Sequence, residues 1–563
     1  MTYTPPTAEQ RFVLDHVVRI ADLVDDTDIV DAVVEGAGAF AAGCYAPLNR
    51  IGDTVGARWQ DGAVTMPAGF REAYATFVEG GWGGIAVPEQ YGGQGLPYVL
   101  ATVLMEDLGS ANMGFSLINM LTPGAIEALI SHGSSELQAL YLPRLVTGEW
   151  NGTMCLTEPQ AGSDVGALRT TAVPAGDGNW RIKGAKIFIT FGEHDLTDNI
   201  VHLVLARTPD APPGPKGISL FLVPKFRLDA DGKPGAFNDV RCTGIEHKLG
   251  IHASPTCSLS FGDADDCHGW LIGAENEGMR CMFTMMNNAR LNVGLQGVQV
   301  AEAASQRAVA YANERVQFGK PIIETPDVRR MLVRMRSLTQ GARALVYYAA
   351  AQADRATRGD ADAAARLELL TPLAKAWATD VGCEVASLGV QVHGGMGFIE
   401  ETGAAQHYRD IRIAPIYEGT NGIQAADLVN RKLDLNGGET LRALLAEMRE
   451  ASVGEPALAD LIEHIAAIAQ TMRAGSRNDR LAGSYPFLTM LSVAVAGWLL
   501  LVQERVMGDL GAADLYDSDF VIGKRTAARI FLEQVVPEAM GLRAAASADG
   551  ESLMHVPVSA LSA

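Results

Sequence analysis

The chain is poor in most features that mark specialised protein classes. It has 7 cysteines in 563 residues and no CxxC pair, so a disulfide framework is not expected. Those cysteines (Cys44, Cys155, Cys242, Cys257, Cys267, Cys281 and Cys383) are scattered and expected to be reduced, which points to the cytoplasm. Positive charge is scarce: 45 Lys+Arg against 66 Asp+Glu leave a net charge of −21, and no basic cluster stands out, which argues against a nucleic-acid partner. The acidity favours solubility, so an anionic substrate has to be held by local groups rather than by the overall field. The opening MTYTPPTAEQ lacks a charged start followed by an apolar stretch, so no signal peptide is expected. The most apolar stretch, Phe487 to Val502, contains Thr489, Ser492 and Gly497 and is short for a span of ~20 residues; a buried helix is expected there, and no membrane span. The final residues do not match the peroxisomal SKL address.

What is present is globular: 48% hydrophobic and 20% charged residues in a chain too long for one ordinary core. The spacing predicts an α+β multidomain protein. Residues 39–150 read as helical, broken by glycine turns such as Gly80-Gly81-Trp82-Gly83-Gly84. Over 151–279 short β-prone runs appear (180–182, 186–190, 200–205, 218–223), separated by turns such as 209–217 with four prolines; a small β-barrel or sandwich is expected. Long helices return over 280–436. Leu291, Leu295 and Val298 repeat at helical spacing, Met331, Met335, Leu338, Ala342 and Leu345 continue the period, and a third helix over about 365–392 stops at Gly394-Gly395. Asn436-Gly437-Gly438 marks a boundary, beyond which 437–563 reads as an additional helical domain.

Several constellations bear on chemistry. Gly81 to Ala86 nominally fits GxGxxA, but a helical pattern precedes it, so turn glycines explain it better than a dinucleotide fingerprint. His247 and His252 with Cys242 and Cys257 match no standard zinc spacing, and no metal is expected. The run MCLTEPQAGSD (154–164) sets hydroxyls and small residues in a turn at a strand end, where exposed N–H groups suit a heteroaromatic edge or a phosphate. Arg315, in ERVQFGKP (314–321), offers a phosphate fork or a solvated helix end. In IYEGTNGIQ (416–424) a single carboxylate, Glu418, follows the apolar Ile413, Ala414, Pro415 and Ile416. Apolar surroundings raise a carboxyl pKa toward the range of a general base at pH 7; alone, the segment fits a surface turn equally well.

Together, MCLTEPQAGSD, ERVQFGKPI (314–322), QVHGGMGF (391–398) and IYEGTNGIQ resemble the acyl-CoA dehydrogenase flavoprotein family, in its order and approximate spacing, from about 40 to 434. The resemblance implies an N-terminal helical domain, a middle β domain, a C-terminal four-helix bundle and FAD. It implies that Glu418 removes the α-proton. Met154, Cys155, Leu156, Thr157, Gly162 and Ser163 should lie along the flavin, with Ser163 also reaching the substrate. Phe188, Ile189 and Thr190 should contact the isoalloxazine; the family often has Trp where this chain has Phe188. Arg315, Gln317 and Phe318 should reach the FAD of a neighbouring subunit, and Gln391, His393, Gly394 and Gly395 its adenosine half. Thr420 and Asn421 should complete the flavin site, while Arg290, Tyr417 and Gly419 should face the acyl-CoA. Some members carry the base just before that Arg; here Ala289 stands there.

The N-terminal extension (1–38) and the segment after Gly438 exceed the common family length. They resemble a bacterial subgroup with an added C-terminal helical domain, which includes 3-methylmercaptopropionyl-CoA dehydrogenases and is commonly dimeric. The implied activity is α,β-dehydrogenation of an acyl-CoA to the trans-2-enoyl-CoA, hydride passing to flavin N5 and electrons to an electron-transfer flavoprotein. A broad short-, medium- and long-chain fatty acyl-CoA dehydrogenase, an acyl-CoA oxidase and a non-catalytic CoA-binding subunit are the alternatives.

Overall fold

A computed structural model describes residues 3–176, 178–508 and 516–562; residues 1–2 of the expected N-terminal extension, and 509–515 and 563 of the added C-terminal segment, lie outside the described residues. The chain divides into two compact units, Phe40–Leu96 with Ala111–Ala289, and Met1–Ala39 with Pro97–Ser110 and Arg290–Ala563.

The first of these units holds the sheet. Its strands are β1 (Trp150–Cys155), β2 (Thr171–Gly176), β3 (Asn179–Thr190), β4 (Asn199–Ala206), β5 (Ser219–Pro224), β6 (Val240–Ile245), β7 (Thr256–Phe261) and β8 (His268–Ile272). They run in the order β6-β7-β3-β8-β5-β4-β1, with β2 against β3. Only β1 and β4 are parallel, pairing Trp150 with Asn199 through Cys155 with Val204. The β-prone runs 180–182 and 186–190 are one long strand, which serves β2, β7 and β8 in turn. The proline-rich stretch 209–217 joins antiparallel β4 and β5, as its turn chemistry predicts. Cys155, Ile182, Ile189, Val204, Phe221, Leu259 and Phe261 form the sheet's core. All seven cysteines are unpaired thiols, five of them buried.

The other unit is helical: α1 (Thr7–Val13), α2 (Tyr98–Ser116, of which 98–110 belong here), α3 (Gly278–Glu314, from 290 onward), α4 (Pro326–Thr357), α5 (Ala361–His393), α6 (Asn421–Asn430), α7 (Glu439–Ala451), α8 (Pro456–Ala474), α9 (Arg477–Gly508) and α10 (Ser518–Ile530). The predicted stripe Met331, Met335, Leu338, Ala342, Leu345 is buried along α4. α5 packs against α4, α6 and α9. α3 and α5 approach at glycine: a Cβ on Gly297 would lie 1.8 Å from the Ala378 carbonyl oxygen, and one on Gly294 2.7 Å from that of Ala374. No larger residue lets these two backbones come so close. Helix α9 is long and apolar enough to cross a bilayer, yet Phe487, Leu488, Leu491, Val495 and Leu500 along it are buried within this unit.

A buried ionic cluster ties the terminal segments to the bundle. Arg343 on α4 donates from Nε and Nη2 to Glu106 Oε1 of α2 (2.9 and 2.8 Å) and from Nη2 to Glu302 Oε2 of α3 (2.8 Å). Tyr347 donates to Glu106 Oε2 (2.7 Å). Glu9, on α1, receives Lys524 Nζ of α10 at 2.7 Å and Gln340 Nε2 at 3.2 Å, and Lys524 also donates to Gln503 of α9. Glu106 is 0% and Arg343 1% exposed. Ions so thoroughly removed from water persist only when paired, and breaking one pair typically costs about 3–5 kcal/mol. Lys524→Met removes the nearest counter-charge of Glu9 and leaves it Arg343 at 3.8 Å, so chemical denaturation should show a loss of about 3 kcal/mol, with Glu9→Gln in the same chain restoring part of it. A Lys524→Met protein within 0.5 kcal/mol of the parent contradicts this account of how the ends are held (surface-like changes stay within about that range).

Candidate active site

In the helical unit, the apolar lead-in Ile413–Ile416 coils into a compact turn, with Ile416 N donating to Ile413 O (2.8 Å) and Asn421 N to Pro415 O (2.9 Å). The turn delivers Glu418 with φ +57° and Gly419 with φ +82°. A left-handed conformation is unfavourable for a residue with a Cβ, and such positions recur where geometry is fixed for function. The φ of Gly419 favours glycine, and a Cβ there would also press within 2.9 Å of Gln424 Nε2. That Nε2 donates to the carbonyl oxygens of Glu418 (3.3 Å) and Gly419 (3.5 Å). Thr420 Oγ1 caps α6 by accepting from Ile423 N (3.2 Å). Tyr417 donates its phenol hydrogen to Gln296 Oε1 of α3.

Burial pushes the Glu418 carboxyl above the ordinary carboxylate range, while the charges of Arg290 and Lys375 pull it back. Arg290 is buried, with Asp427 and Glu418 as carboxylate neighbours. Lys375, on α5, is 0% exposed. Burial brings its ammonium down to about 7, opposed by the charges of Glu418 and Asp380. Its Nζ donates to Asn421 Oδ1 (2.9 Å). Asn421 Nδ2 in turn donates to Ala376 O, Thr379 Oγ1 and Asp380 Oδ1, each at 3.0 Å. The Asn421 carboxamide is therefore engaged wholly inside the bundle, between Glu418's segment and α5.

Two further predicted groups lie elsewhere in this unit. Arg315 and Gln317 are exposed on a short hairpin, Val316 and Gln317 pairing with Pro321 and Lys320. Phe318 (φ +53°) and Gly319 (φ +79°) form its two-residue turn, and Phe318 is 96% exposed. Gln391 is exposed at the end of α5. His393 is buried, its ring stacked 4.3 Å from that of Tyr311 and its Nδ1 2.7 Å from Gly389 O, so the imidazole is occupied within the bundle. The backbone beyond it is open: a Cβ on Gly394 or Gly395 meets nothing within 4 Å.

In the sheet unit, Met154 and Cys155 close β1, and Leu156 and Thr157 follow half-buried. Thr157 is held because Ile187 N of β3 donates to its carbonyl (2.9 Å). Glu158 then folds inward. Its carboxylate accepts from Arg169 N (2.7 Å), Thr170 N (3.0 Å), Thr170 Oγ1 (2.6 Å), Gln160 Nε2 (2.6 Å) and Lys186 Nζ (2.8 Å). Burial opposes its ionisation, but Lys186 and these donors hold it down to about 2. The tether leaves Gly162 and Ser163 exposed on the loop. Phe188 (φ +60°) is 57% exposed on β3, beside buried Ile189 and half-buried Thr190.

Backbone conformation links the motifs in a way composition does not. Among the described residues, twelve non-glycines have positive φ. Six are Asp or Asn, which tolerate it. Of the six others, three are Phe188, Phe318 and Glu418, each within a segment singled out by sequence. Lys375, Asp380, Gln296, Glu158 and Lys186 were not singled out. The available signal was a lone Lys in an apolar helical run (Leu373 to Ala378) and a Glu–Lys pair 28 residues apart.

Four family models match the chain: the acyl-CoA dehydrogenase N-terminal domain over 48–149, middle domain over 153–264 and C-terminal domain over 276–433, and an acetyl-CoA dehydrogenase C-terminal-like domain over 435–557. A 3-methylmercaptopropionyl-CoA dehydrogenase of Ruegeria pomeroyi is 44% identical, covering 98% of this chain and 99% of its own. A butyryl-CoA dehydrogenase of Syntrophomonas wolfei is 37% identical over 95% and 94%. The solved structure of an acyl-CoA dehydrogenase complexed with FAD from Bacillus anthracis shares the fold, with TM-score 0.76 at 22% identity over 98% of this chain and 94% of that one.

Glu158→Gln should lower stability at pH 7 by about 3 kcal/mol, because it leaves Lys186 buried without its counter-charge. A depressed carboxyl stabilises the fold above its unfolded pKa of roughly 4.3, and that stabilisation disappears as pH falls through about 2. Denaturation curves of variant and parent should therefore converge between pH 4 and 2; a gap that is constant with pH contradicts the tether.

Proposed function

This chain belongs to the acyl-CoA dehydrogenase family, and we propose that it removes the α-proton of an acyl-CoA thioester with Glu418 and yields the trans-2-enoyl-CoA, 3-methylmercaptopropionyl-CoA being the substrate. The observation that carries the assignment of the base is the placement of Glu418: a half-buried residue on a left-handed backbone whose carboxyl feels the charges of two buried cations, Arg290 and Lys375. The substrate assignment rests on the Ruegeria pomeroyi relative, which matches over nearly the whole of both chains. The butyryl-CoA dehydrogenase of Syntrophomonas wolfei, similar over almost the same length, supports a second reading, a dehydrogenase of straight acyl chains.

The residues present fit FAD, whose use is general for the family. The open backbone at Gly162, Gly394 and Gly395, the exposed guanidinium of Arg315 and the exposed rings of Phe188 and Phe318 offer N–H groups, charge and flat apolar surface. Met154 to Thr157, Ser163, Ile189, Thr190, Gln317, Gln391 and Thr420 complete the set that would hold it. When bound, FAD supplies the acceptor for the β-hydride.

The protein's own part is proton chemistry. An α-proton of a thioester is far too weak an acid for an ordinary carboxylate. Excluding water raises the basicity of Glu418, and hydrogen bonds to the thioester oxygen, with the Glu418 backbone N–H as one donor, stabilise the developing enolate. The charges of Arg290 and Lys375 favour the ionised carboxylate, the form that acts as a base. We take the assembly to be a homodimer, in which the exposed rings of Phe318 and Phe398 (96% and 86%) are available to a second copy. An electron-transfer flavoprotein is the proposed acceptor and the cytoplasm the proposed compartment.

Glu418→Gln should retain FAD and bind acyl-CoA but fail to bleach the flavin anaerobically; substantial bleaching overturns the base assignment. Across an acyl-CoA panel, 3-methylmercaptopropionyl-CoA should bleach the parent protein fastest. Equal rates with butyryl-CoA and long chains favour the second reading, and peroxide released in step with turnover identifies an oxidase instead.

A further inference from the structure

A hydrogen-bonded path leads from the added C-terminal segment to Lys375, a buried cation whose charge acts on the candidate base. Tyr485, on α9, donates its phenol hydrogen to Asp380 Oδ2 at 2.6 Å. Asp380 Oδ1 accepts from Asn421 Nδ2 at 3.0 Å. Asn421 Oδ1 accepts from Lys375 Nζ at 2.9 Å, and the Lys375 ammonium is one of the two cations whose charge reaches Glu418. Every member lies in the helical unit. Lys375 is 0% and Asn421 3% exposed, so neither exchanges its partners for water. The approach of α3 to α5 at Gly294, beside Ala374 and Lys375, fixes the lysine's place on the helix.

We propose that Lys375 is a positioning residue that sets the charge state of Glu418, and that Tyr485 acts on the same carboxylate from the added domain through Asp380 and Asn421. The proposal rests on Glu418 being the base and adds what governs it.

The physics has one direction. A buried lysine is inclined to lose its proton, and nearby carboxylates oppose that loss. The ionisable groups facing Lys375 are Glu418, Asp380 on its own helix and Arg290 on α3; Tyr485 and Arg412 act on Asp380. The Tyr485 hydrogen bond favours the ionised form of Asp380. The Asp380 carboxylate in turn favours the ammonium of Lys375, and the ammonium favours the Glu418 carboxylate. Removing the phenol therefore weakens the ammonium and makes Glu418 hold its proton more tightly. Because Glu418 and Lys375 interact, their protons leave in steps that belong to the pair. The added domain thus reaches the reaction without touching substrate.

The test compares the FAD-loaded parent with Lys375→Met and Tyr485→Phe. Difference infrared spectra over pH follow the protonated-carboxyl band of Glu418, assigned by its loss in Glu418→Gln, and kcat/KM is measured over the same pH range. In Lys375→Met both the band midpoint and the acid limb of kcat/KM should rise by about 1 pH unit or more. In Tyr485→Phe both should rise by a smaller amount, about 0.3–0.5 unit, since the charge lost is one step removed. An unmoved midpoint in Lys375→Met, with activity lowered equally at every pH, overturns the proposal and leaves the lysine a packing role. If Lys375→Met does not fold, Tyr485→Phe, altered at a partly exposed ring, decides alone, and an unmoved midpoint there overturns the proposal. A parent protein whose acid limb departs from the Glu418 band midpoint refutes the base assignment instead, while the effect of Lys375 on the band is still read independently.

Discussion

A carboxylate drawn out of water must find opposite charge or take up a proton, and the centre of the helical unit is organised around that constraint. At Glu418 the two pressures are opposed: burial raises the carboxyl, and Arg290 and Lys375 lower it again. Without the cations, burial alone would favour the protonated acid. With full hydration it would be an ordinary, weak carboxylate. The intermediate state suits a base, and it needs two buried cations that themselves need support. Arg290 has Asp427, and Lys375 has Asn421 and Asp380.

Close helix packing makes such a concentration of charge possible. Gly294 and Gly297 bring α3 against α5, so that residues of both helices meet the segment carrying Glu418. Gln296 of α3 takes the Tyr417 phenol, and Asn421 bonds back to α5 at Ala376, Thr379 and Asp380. The left-handed Glu418 and Gly419 are sustained by this enclosure, because an isolated turn would relax. A second buried ionic cluster, centred on Arg343, ties α1 and α10 to the same bundle. The terminal segments are therefore part of the unit that holds the base, and the Tyr485 bond to Asp380 is a further tie from the added segment.

Much of this was legible in the sequence where a pattern repeats. The stripe of α4, the stop of α5 at Gly394 and the buried character of 487–502 follow from helical spacing and length. The sheet was visible only in part: 180–182 and 186–190 looked like two strands, because Lys183 to Lys186 is a polar interruption in composition but not in backbone. The segment around Glu418 stood out by composition, but its left-handed backbone has no signature in residue type. Lys375 was not visible for the opposite reason: its neighbours Leu373, Ala374, Ala376 and Trp377 predict a helix and give no hint that the one charge points inward. Glu158 and Lys186 meet through a turn and a strand pairing that linear spacing does not encode.

Proton removal can be separated from every later event. An acyl-CoA with no β-hydrogen, such as 3,3-dimethylbutyryl-CoA, cannot be desaturated, yet its α-position is open to the base. Followed by NMR in deuterated water with the FAD-loaded protein, the parent should exchange that α-hydrogen and Glu418→Gln should leave it in place. Exchange by Glu418→Gln at the parent's rate would contradict the assignment of Glu418 as the group that takes the proton.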